Sequence, residues 1–372
     1  MSKLDELIAE LCPDGVKFKP LEQCCTILDN KRKPVTKSAR KAGEFPYYGA
    51  NGIQDYVSDY IFDGIFMLVG EDGSVITPNG NPVVNWAEGK IWVNNHAHIA
   101  AEKDGVLLRY LFHFVQTVNV TDLIHGNIPK LTGGDFRAIK VPVPHIEVQR
   151  EIVRILDNFT ELTAELTAEL TARKKQYEFY RDKLLALPND VEYKTLPDIS
   201  HNCDRQRRPI TKGNREAGAY PYYGASGIVD YVADYIFDGE YLLISEDGAN
   251  LLARSTPIAF SISGKNWVNN HAHVIHFDFP EMRKYVEIYF NSIDLSKYIS
   301  GGAQPKLNQD NLSKIPIPVP SLPEVKRIVN ILTKFDTLCN DLNSGLPAEI
   351  EARRKQYEYY RNKLLSFQVM EG

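Results

Sequence analysis

The chain is a tandem repeat, and that duplication limits what it can fold into more than any other feature. Phe45-Pro46-Tyr47-Tyr48-Gly49-Ala50-Asn51-Gly52-Ile53 returns as Tyr220-Pro221-Tyr222-Tyr223-Gly224-Ala225-Ser226-Gly227-Ile228. Asp59-Tyr60-Ile61-Phe62-Asp63-Gly64 returns at 234–239, Glu71-Asp72-Gly73 at 246–248, and Trp92-Val93-Asn94-Asn95-His96-Ala97-His98 at 267–273. Each match lies 175 residues after its first copy. Later matches slip: Pro129-Lys130-Leu131 pairs with Pro305-Lys306-Leu307, 176 residues on, and Ala172–Arg181 with Ala352–Arg361, 180 residues on. A chain built this way holds two like domains, each followed by a connecting segment, the second connector being the longer.

The connectors read as helices. The Pro-rich stretches Val141–Pro144 and Ile315–Pro323 cannot lie inside one. After the first, Ile152, Ile155, Leu156, Phe159, Leu162, Leu166 and Leu170 recur at three- and four-residue steps, which predicts one apolar stripe on a helix. Continued to Leu187, it is roughly 40 residues and about 60 Å long. Its counterpart runs from about Glu324 to Phe367, interrupted at Gly345-Leu346-Pro347. Between the helices, short apolar and aromatic runs split by Gly, Asn, Asp and Pro predict strands with long loops, Ile65–Val69 and Tyr241–Ile244 among them. Leu107–Val118 and Met282–Phe290 predict short helices. The expected boundaries are 1–11 for a short helix packing with the last one, 12–145 for the first domain, 146–187 for the central helix, 188–321 for the second domain, and 322–372 for the distal helix, broken near 344–347.

Composition excludes several classes. No apolar run reaches the roughly 18 residues of a membrane span, and the start of the chain carries no export signal. Five cysteines without a CxxC pair predict reduced thiols, hence a cytoplasmic setting with no membrane association. The net charge of −5 does not mark a nucleic-acid binder, but local charge matters more than the sum.

Locally, Lys31, Arg32, Lys33, Lys37, Arg40 and Lys41 crowd around an X-Pro turn, and Arg205, Arg207, Arg208, Lys212 and Arg215 do so in the second copy. A solvated loop would look the same. Recurrence in both copies favours contacts to DNA phosphates from Lys31, Arg32, Lys33, Lys37, Arg40, Arg205, Arg207, Arg208, Lys212 and Arg215.

Beside these lie polar, Gly-punctuated loops whose frames match and whose inserts differ, residues 74–91 against 249–266. Asn and Gln can grip adenine, Arg and Lys guanine. Asn51, Gln54, Asn79, Asn81, Asn85, Lys130, Ser226, Arg254, Gln304 and Lys306 are therefore candidate base readers, with drifting surface loops as the other reading. The Pro-Lys-Leu turns could equally close the domain with an exposed lysine.

His96 and His98, with His271 and His273, could share a strand face, but no third ligand is evident, and packing or hydrogen bonding is expected in preference to a metal. No phosphate-binding loop of the G-x-x-x-x-G-K-[ST] or G-x-G-x-x-G kind occurs. Asn81-Pro82-Val83-Val84 is only superficially similar to an amino-methyltransferase motif, lacking its second Pro and aromatic. No catalytic constellation is visible.

Together, the Ala172–Leu185 run with its copy at 352–365, the Pro-Tyr-Tyr-Gly-Ala pair and the Trp-Val-Asn-Asn-His-Ala-His pair resemble the specificity (S) subunit of type I restriction-modification systems over essentially the whole chain. The resemblance implies an α+β protein: two tandem mixed α/β target-recognition domains separated by two long antiparallel coiled-coil helices with pseudo-twofold symmetry. Each domain would read half of a bipartite site in double-stranded DNA. The helices would act as a ruler and dock two modification (M) subunits, for which Arg173, Tyr177, Tyr180, Arg353, Tyr357 and Tyr360 are candidates. S-adenosylmethionine, ATP and Mg would belong to the M and restriction (R) subunits, leaving this chain without cofactor or catalytic residue.

Two departures stand out. Ala303-Gln304 replaces Asn127-Ile128, so any role of Gln304 does not carry to the first domain, and Gly345-Leu346-Pro347 stands against the uninterrupted Thr163–Leu170. The other readings are the recognition scaffold of another restriction, modification or DNA-binding assembly, and a coiled-coil scaffold that binds no DNA.

Overall fold

The computed structural model describes residues 2–73, 75–187, 190–301 and 304–368. Ser74, Gly302 and Ala303, each part of a segment singled out above, lie outside the described residues. The chain forms two compact units: Met1–Thr167 with Glu349–Gly372, and Ala168–Ala348.

Unit 1 is built on a six-stranded sheet of β1 (Thr26–Ile27), β2 (Ala42–Gly49), β3 (Gly52–Val57), β4 (Phe62–Gly70), β5 (Val84–Val93) and β6 (Ala97–Ala101), in the order β1-β6-β4-β5-β2-β3. All neighbours are antiparallel except β2 and β5, which run parallel with Tyr47 opposite Trp92. A small hairpin, β7 (Ile124–His125) and β8 (Lys130–Leu131), follows. Unit 2 repeats the plan with β9 (His201–Asn202), β10 (Ala217–Gly224), β11 (Gly227–Val232), β12 (Phe237–Ser245), β13 (Ala259–Val268) and β14 (Ala272–His276), ordered β9-β14-β12-β13-β10-β11. Again one pair, β10 and β13, is parallel, with Tyr222 opposite Trp267. The expected strands lie inside β4 and β12. Alternating burial gives each sheet two apolar faces, with Met67 and Val69 in one core of unit 1 and Phe66 and Leu68 in the other.

Six helices matter for the site: α1 (Lys3–Leu11), α2 (Leu108–Val115), α3 (Ile146–Leu185), α4 (Pro280–Ser292), α5 (Leu322–Asn340) and α6 (Leu346–Leu364). Ser2 and Asp5 form a capping box that starts α1. Helix α3 is continuous over 40 residues, and the division between the units falls inside it, after Thr167. Val148, Ile152 and Leu156 are fully buried in the main core of unit 1, while Tyr177, Leu184 and Leu185 pack on the main core of unit 2. Each fully buried aliphatic contributes about 1.5–3 kcal/mol. In the middle, Leu162, Leu166 and Leu170 are half-buried and Glu165 and Glu169 exposed, so the stripe continues but thins.

Helix α5 buries Val325, Ile328 and Leu332 in unit 2, and Tyr357 and Leu364 of α6 pack on unit 1. Between α5 and α6 the chain turns at Gly345, where a Cβ would sit 2.5 Å from the Thr337 carbonyl oxygen. Only glycine fits that turn. Leu4 of α1 and Leu365, just beyond α6, are buried in the same core.

Candidate nucleic-acid interface

At one end of each sheet several loops converge. In unit 1 the Glu71 amide donates to the His96 carbonyl at 2.8 Å, the Gly73 amide to Pro129 at 3.0 Å and the Leu131 amide to Glu71 at 2.8 Å. Asn94 Nδ2 donates to Gln54 Oε1 at 3.3 Å. Gln54, Asn94, Asn95 and His96 line a cleft of about 410 Å³ with Pro34, Thr36 and Arg40. The loop after β1, the strand β3, the β5–β6 turn and the β7–β8 hairpin therefore share one polar surface.

The cations expected at phosphates divide into two kinds. Lys31, Lys33, Lys37, Arg205, Arg208 and Lys212 are exposed. Arg32 and Arg207 are not free, which corrects the expectation for both. The Arg32 guanidinium donates to Glu71 Oε2 at 2.6 Å, to the Ala97 carbonyl at 2.6 Å and to the Asp29 carbonyl at 2.9 Å. Arg207 repeats this with Glu246 at 2.6 Å, Ala272 at 2.8 Å and Asp204 at 3.2 Å. Arg40 and Arg215 are likewise committed, paired to Asp55 and Asp230 at 3.2 and 3.0 Å and lying over the rings of Tyr47 and Tyr222. Hydrogen bonds from the Tyr56 amide and Arg40 hold Asp55 below the usual carboxylate range; Arg215 and the Tyr231 amide do so for Asp230.

The base-reading candidates also separate. Asn51 and Ser226 are exposed in the β2–β3 and β10–β11 turns, Gln54 is exposed on β3, and Gln304 is exposed. Asn85 sits half-buried on β5, its Nδ2 without a partner. Asn79 and Asn81 face elsewhere: they line a separate cleft with Glu358, Arg361 and Asn362 of α6, and Asn81 donates to the Val118 carbonyl at 3.1 Å. Arg254 is another correction. In a left-handed conformation (φ 50°), it donates to the carbonyls of Phe290 and Ile293 at 3.2 and 2.9 Å, closing the end of α4. Burial pushes its pKa down.

The interior of each surface holds an ion cluster that the sequence did not reveal. In unit 1, His98 Nε2 donates to the Leu131 carbonyl at 2.9 Å and Nδ1 faces Asp29 Oδ2 at 2.7 Å. Asp29 Oδ1 accepts the Ile99 amide at 2.9 Å. Burial alone would raise Asp29, but His98, the Ile99 amide and Arg32 more than offset it, and its pKa is lowered. Asp204, between His273 at 2.6 Å and the Val274 amide at 2.8 Å, behaves alike.

The ligand atoms of Asp29, Glu71 and His98 lie within 4.8 Å of one another, as do those of Asp204, Glu246 and His273. A third potential ligand does therefore recur in both copies, contrary to the sequence reading, because Asp29 and Glu71 match Asp204 and Glu246 at the same spacing as the histidines. Arg32 and Arg207 already hold one oxygen of Glu71 and Glu246 at 2.6 Å. His96 and His271, by contrast, are half-exposed and pair with Asp72 and Asp247.

Among the docking candidates, Arg173 and Arg353 pair along their own helices with Glu169 and Glu349. Tyr177 packs on the unit 2 core, where burial pushes its pKa up to about 12. Tyr180 stacks on Phe335 and Tyr360 on Phe159, with ring centroids 5.8 and 5.4 Å apart. The Tyr357 hydroxyl donates to His113 Nδ1 at 3.0 Å, and His113 Nε2 donates to Asp157 at 2.8 Å. These tyrosines join helices within a unit. The neighbouring Phe179 and Tyr359 rest edge-on against Tyr180 and Tyr360 yet stay 61% and 59% exposed.

The chain thus carries two duplicated sheets, each gathering polar loops at one end, and one long helix to which both units contribute. The family model of the type I restriction modification DNA specificity domain matches residues 13–173 and again 188–352. The chain belongs to that family, as a DNA target recognition subunit. Its relatives include HindORF215P of Haemophilus influenzae, named as a type I restriction enzyme specificity subunit. The two are 38% identical over 375 residues, covering 95% of this chain and 96% of that one. The EcoR124I/EcoR124II specificity subunit of Escherichia coli is 34% identical over 295 residues, 72% of this chain and 73% of that one. The crystal structure of the type I S subunit from M. genitalium has the same fold, with a TM-score of 0.62 at 14% identity over 94% of this chain and 96% of that one. No described helix is long and apolar enough to cross a membrane.

Proposed function

We propose that this chain is the non-catalytic reader of a type I restriction-modification complex, with each domain reading one half of a bipartite DNA site. The observation that carries this is the pairing of one loop frame, repeated in both units, with different exposed side chains upon it. Gln54 stands where the second copy has Val229, and Asn51 where it has Ser226. Different side chains at equivalent turn and strand positions suit two different half-sites. Lys31, Lys33, Lys37, Arg205, Arg208 and Lys212 supply the phosphate contacts that set register without reading sequence. Helix α3 sets the spacer, and the α3 and α6 aromatics Phe179 and Tyr359 dock two M subunits. Methyl transfer, with S-adenosylmethionine, and ATP- and Mg-dependent cleavage belong to M and R subunits in the cytoplasm. This chain then needs no cofactor, metal or catalytic residue.

The test is DNA binding by the chain assembled with its M subunits, followed as salt rises. Affinity should fall steeply and depend on sequence, and adenine methylation in the source genome should mark one bipartite site that disappears with this gene. Binding indifferent to both salt and sequence would sink the proposal and favour a scaffold without DNA contact.

A further inference from the structure

The two ion clusters each end in a lysine at the surface. Lys130 Nζ lies 3.2 Å from Glu71 Oε1, and Lys306 Nζ lies 3.1 Å from Glu246 Oε1. The other oxygen of each glutamate takes the buried arginine at 2.6 Å. The lysine backbones are held too: Asp72 bridges Lys130 and Asp247 bridges Lys306. The Leu131 and Leu307 amides donate to the carbonyls of Glu71 and Glu246 at 2.8 and 2.7 Å. Nearly half of each lysine side chain stays open, 46% and 48%. Each ammonium thus meets one carboxylate oxygen while carrying three N–H donors.

A carboxylate this near changes what such a lysine can bind. A phosphate oxygen docking on the ammonium would be brought against the charge of Glu71 or Glu246, two like charges within a few ångströms. A neutral acceptor meets no such repulsion. Guanine offers two, O6 and N7, on its major-groove edge, and they lie where a positioned lysine can reach both. The exposed lysines of the loop after β1 suit phosphates.

We infer that Lys130 and Lys306 each read a guanine in their own half-site, and that Glu71 and Glu246 are positioning residues that hold the ammonium and turn it away from phosphates. This rests on the half-site reading proposed above and adds which base class each hairpin selects.

The full chain, assembled with its M subunits, would be offered a library of random duplexes, and binding measured from about 50 to 200 mM salt. For Lys130→Met, the half-site read by unit 1 should lose its preference for guanine at one position by roughly 5- to 150-fold. The salt slope and the other half-site should stay as they were. Lys306→Met should do the same to the other half alone. Glu71→Gln should weaken discrimination at that position while tightening binding to unrelated duplexes and steepening the salt slope by up to about 0.9, because the freed ammonium can now meet a phosphate.

A Lys130→Met slope shallower by about 0.9 with the guanine preference intact would make the lysine a phosphate contact and overturn the inference. So would no change in either quantity, or a unit 1 half-site without guanine. A Glu71→Gln protein indistinguishable from wild type would remove the positioning role. If the unaltered complex selects no sequence at all, the half-site reading itself has failed, a result separate from any of these.

Discussion

The loops carrying the basic clusters mix two kinds of cation, and substituting one of each should give opposite results. Arg32 is buried to 12% exposure of its side chain against Glu71, also at 12%, and Asp29 at 10%. Arg32→Ala leaves two carboxylates without their guanidinium and frees the carbonyls of Ala97 and Asp29. Removing one partner of a largely buried ion pair costs about 3 kcal/mol. For a unit the size of Met1–Thr167 with Glu349–Gly372, that lowers its thermal midpoint by roughly 6–12 °C.

Lys33 is exposed, so Lys33→Ala should leave the midpoint alone. It should remove one phosphate contact, and with it about 0.9 from the salt slope. Between about 50 and 200 mM salt the variant would then lose about 3.5-fold less affinity than wild type does. The assays are a thermal melt of the chain and a salt titration of the complex on DNA, run on both variants. An Arg32→Ala protein that melts with wild type while its salt slope falls by about 0.9 would refute the division, and would return Arg32 to the phosphates.

Three further outcomes follow from the structure. Inserting one Thr-Ala-Glu-Leu unit after Leu170 adds about 6 Å and about 40° of turn to α3, so the spacer should lengthen by one or two base pairs with both half-sites intact, as mapping of methylated adenines would show; an unaltered spacer counts against the ruler. Phe179→Ala and Tyr359→Ala should each weaken assembly with M subunits by about tenfold or more with no change in melting, checked by sedimentation; unaltered assembly rules those rings out of the interface. His113 is held below its usual value near 6.5, first by burial and then by Arg109 and Arg361, against the pull of Asp157. Its unfolded form therefore takes up a proton that the folded form resists, so stability falls as pH drops from about 6.5 toward the lowered folded value. His113→Leu should show a smaller fall in denaturant midpoint over that range, and an equal fall would show that His113 is not the group responsible.

What the sequence made legible was position, and what it concealed was pairing. A repeat aligned residue by residue announces two like domains, and a three-and-four spacing announces a helix, because both are properties of order along the chain. Arg32 and Lys33 differ in nothing that order records. One meets a carboxylate 39 residues away and the other meets solvent, and only the folding of β4 against the loop after β1 decides which. Asp29 and Glu71 were invisible as partners of His98 for the same reason, although their copies at 204 and 246 stand at the same spacing from His273 and were available as a signal.

The helix aromatics show the opposite case. Tyr177, Tyr180 and Leu184 fall at steps of three and four, the spacing of an inward face, which leaves Phe179 on the outer one. That pattern is readable in the sequence alone, and it separates the packed rings from the exposed one. Duplication supplies the remaining discrimination. Side chains that match in both copies, such as Arg32 with Arg207 and His98 with His273, are mostly found inside the frame. Those that differ, such as Gln54 against Val229, sit exposed on β3 and β11, where a change alters what is presented without disturbing how the domain folds. A reader assembled in this way can exchange one half-site and keep the other.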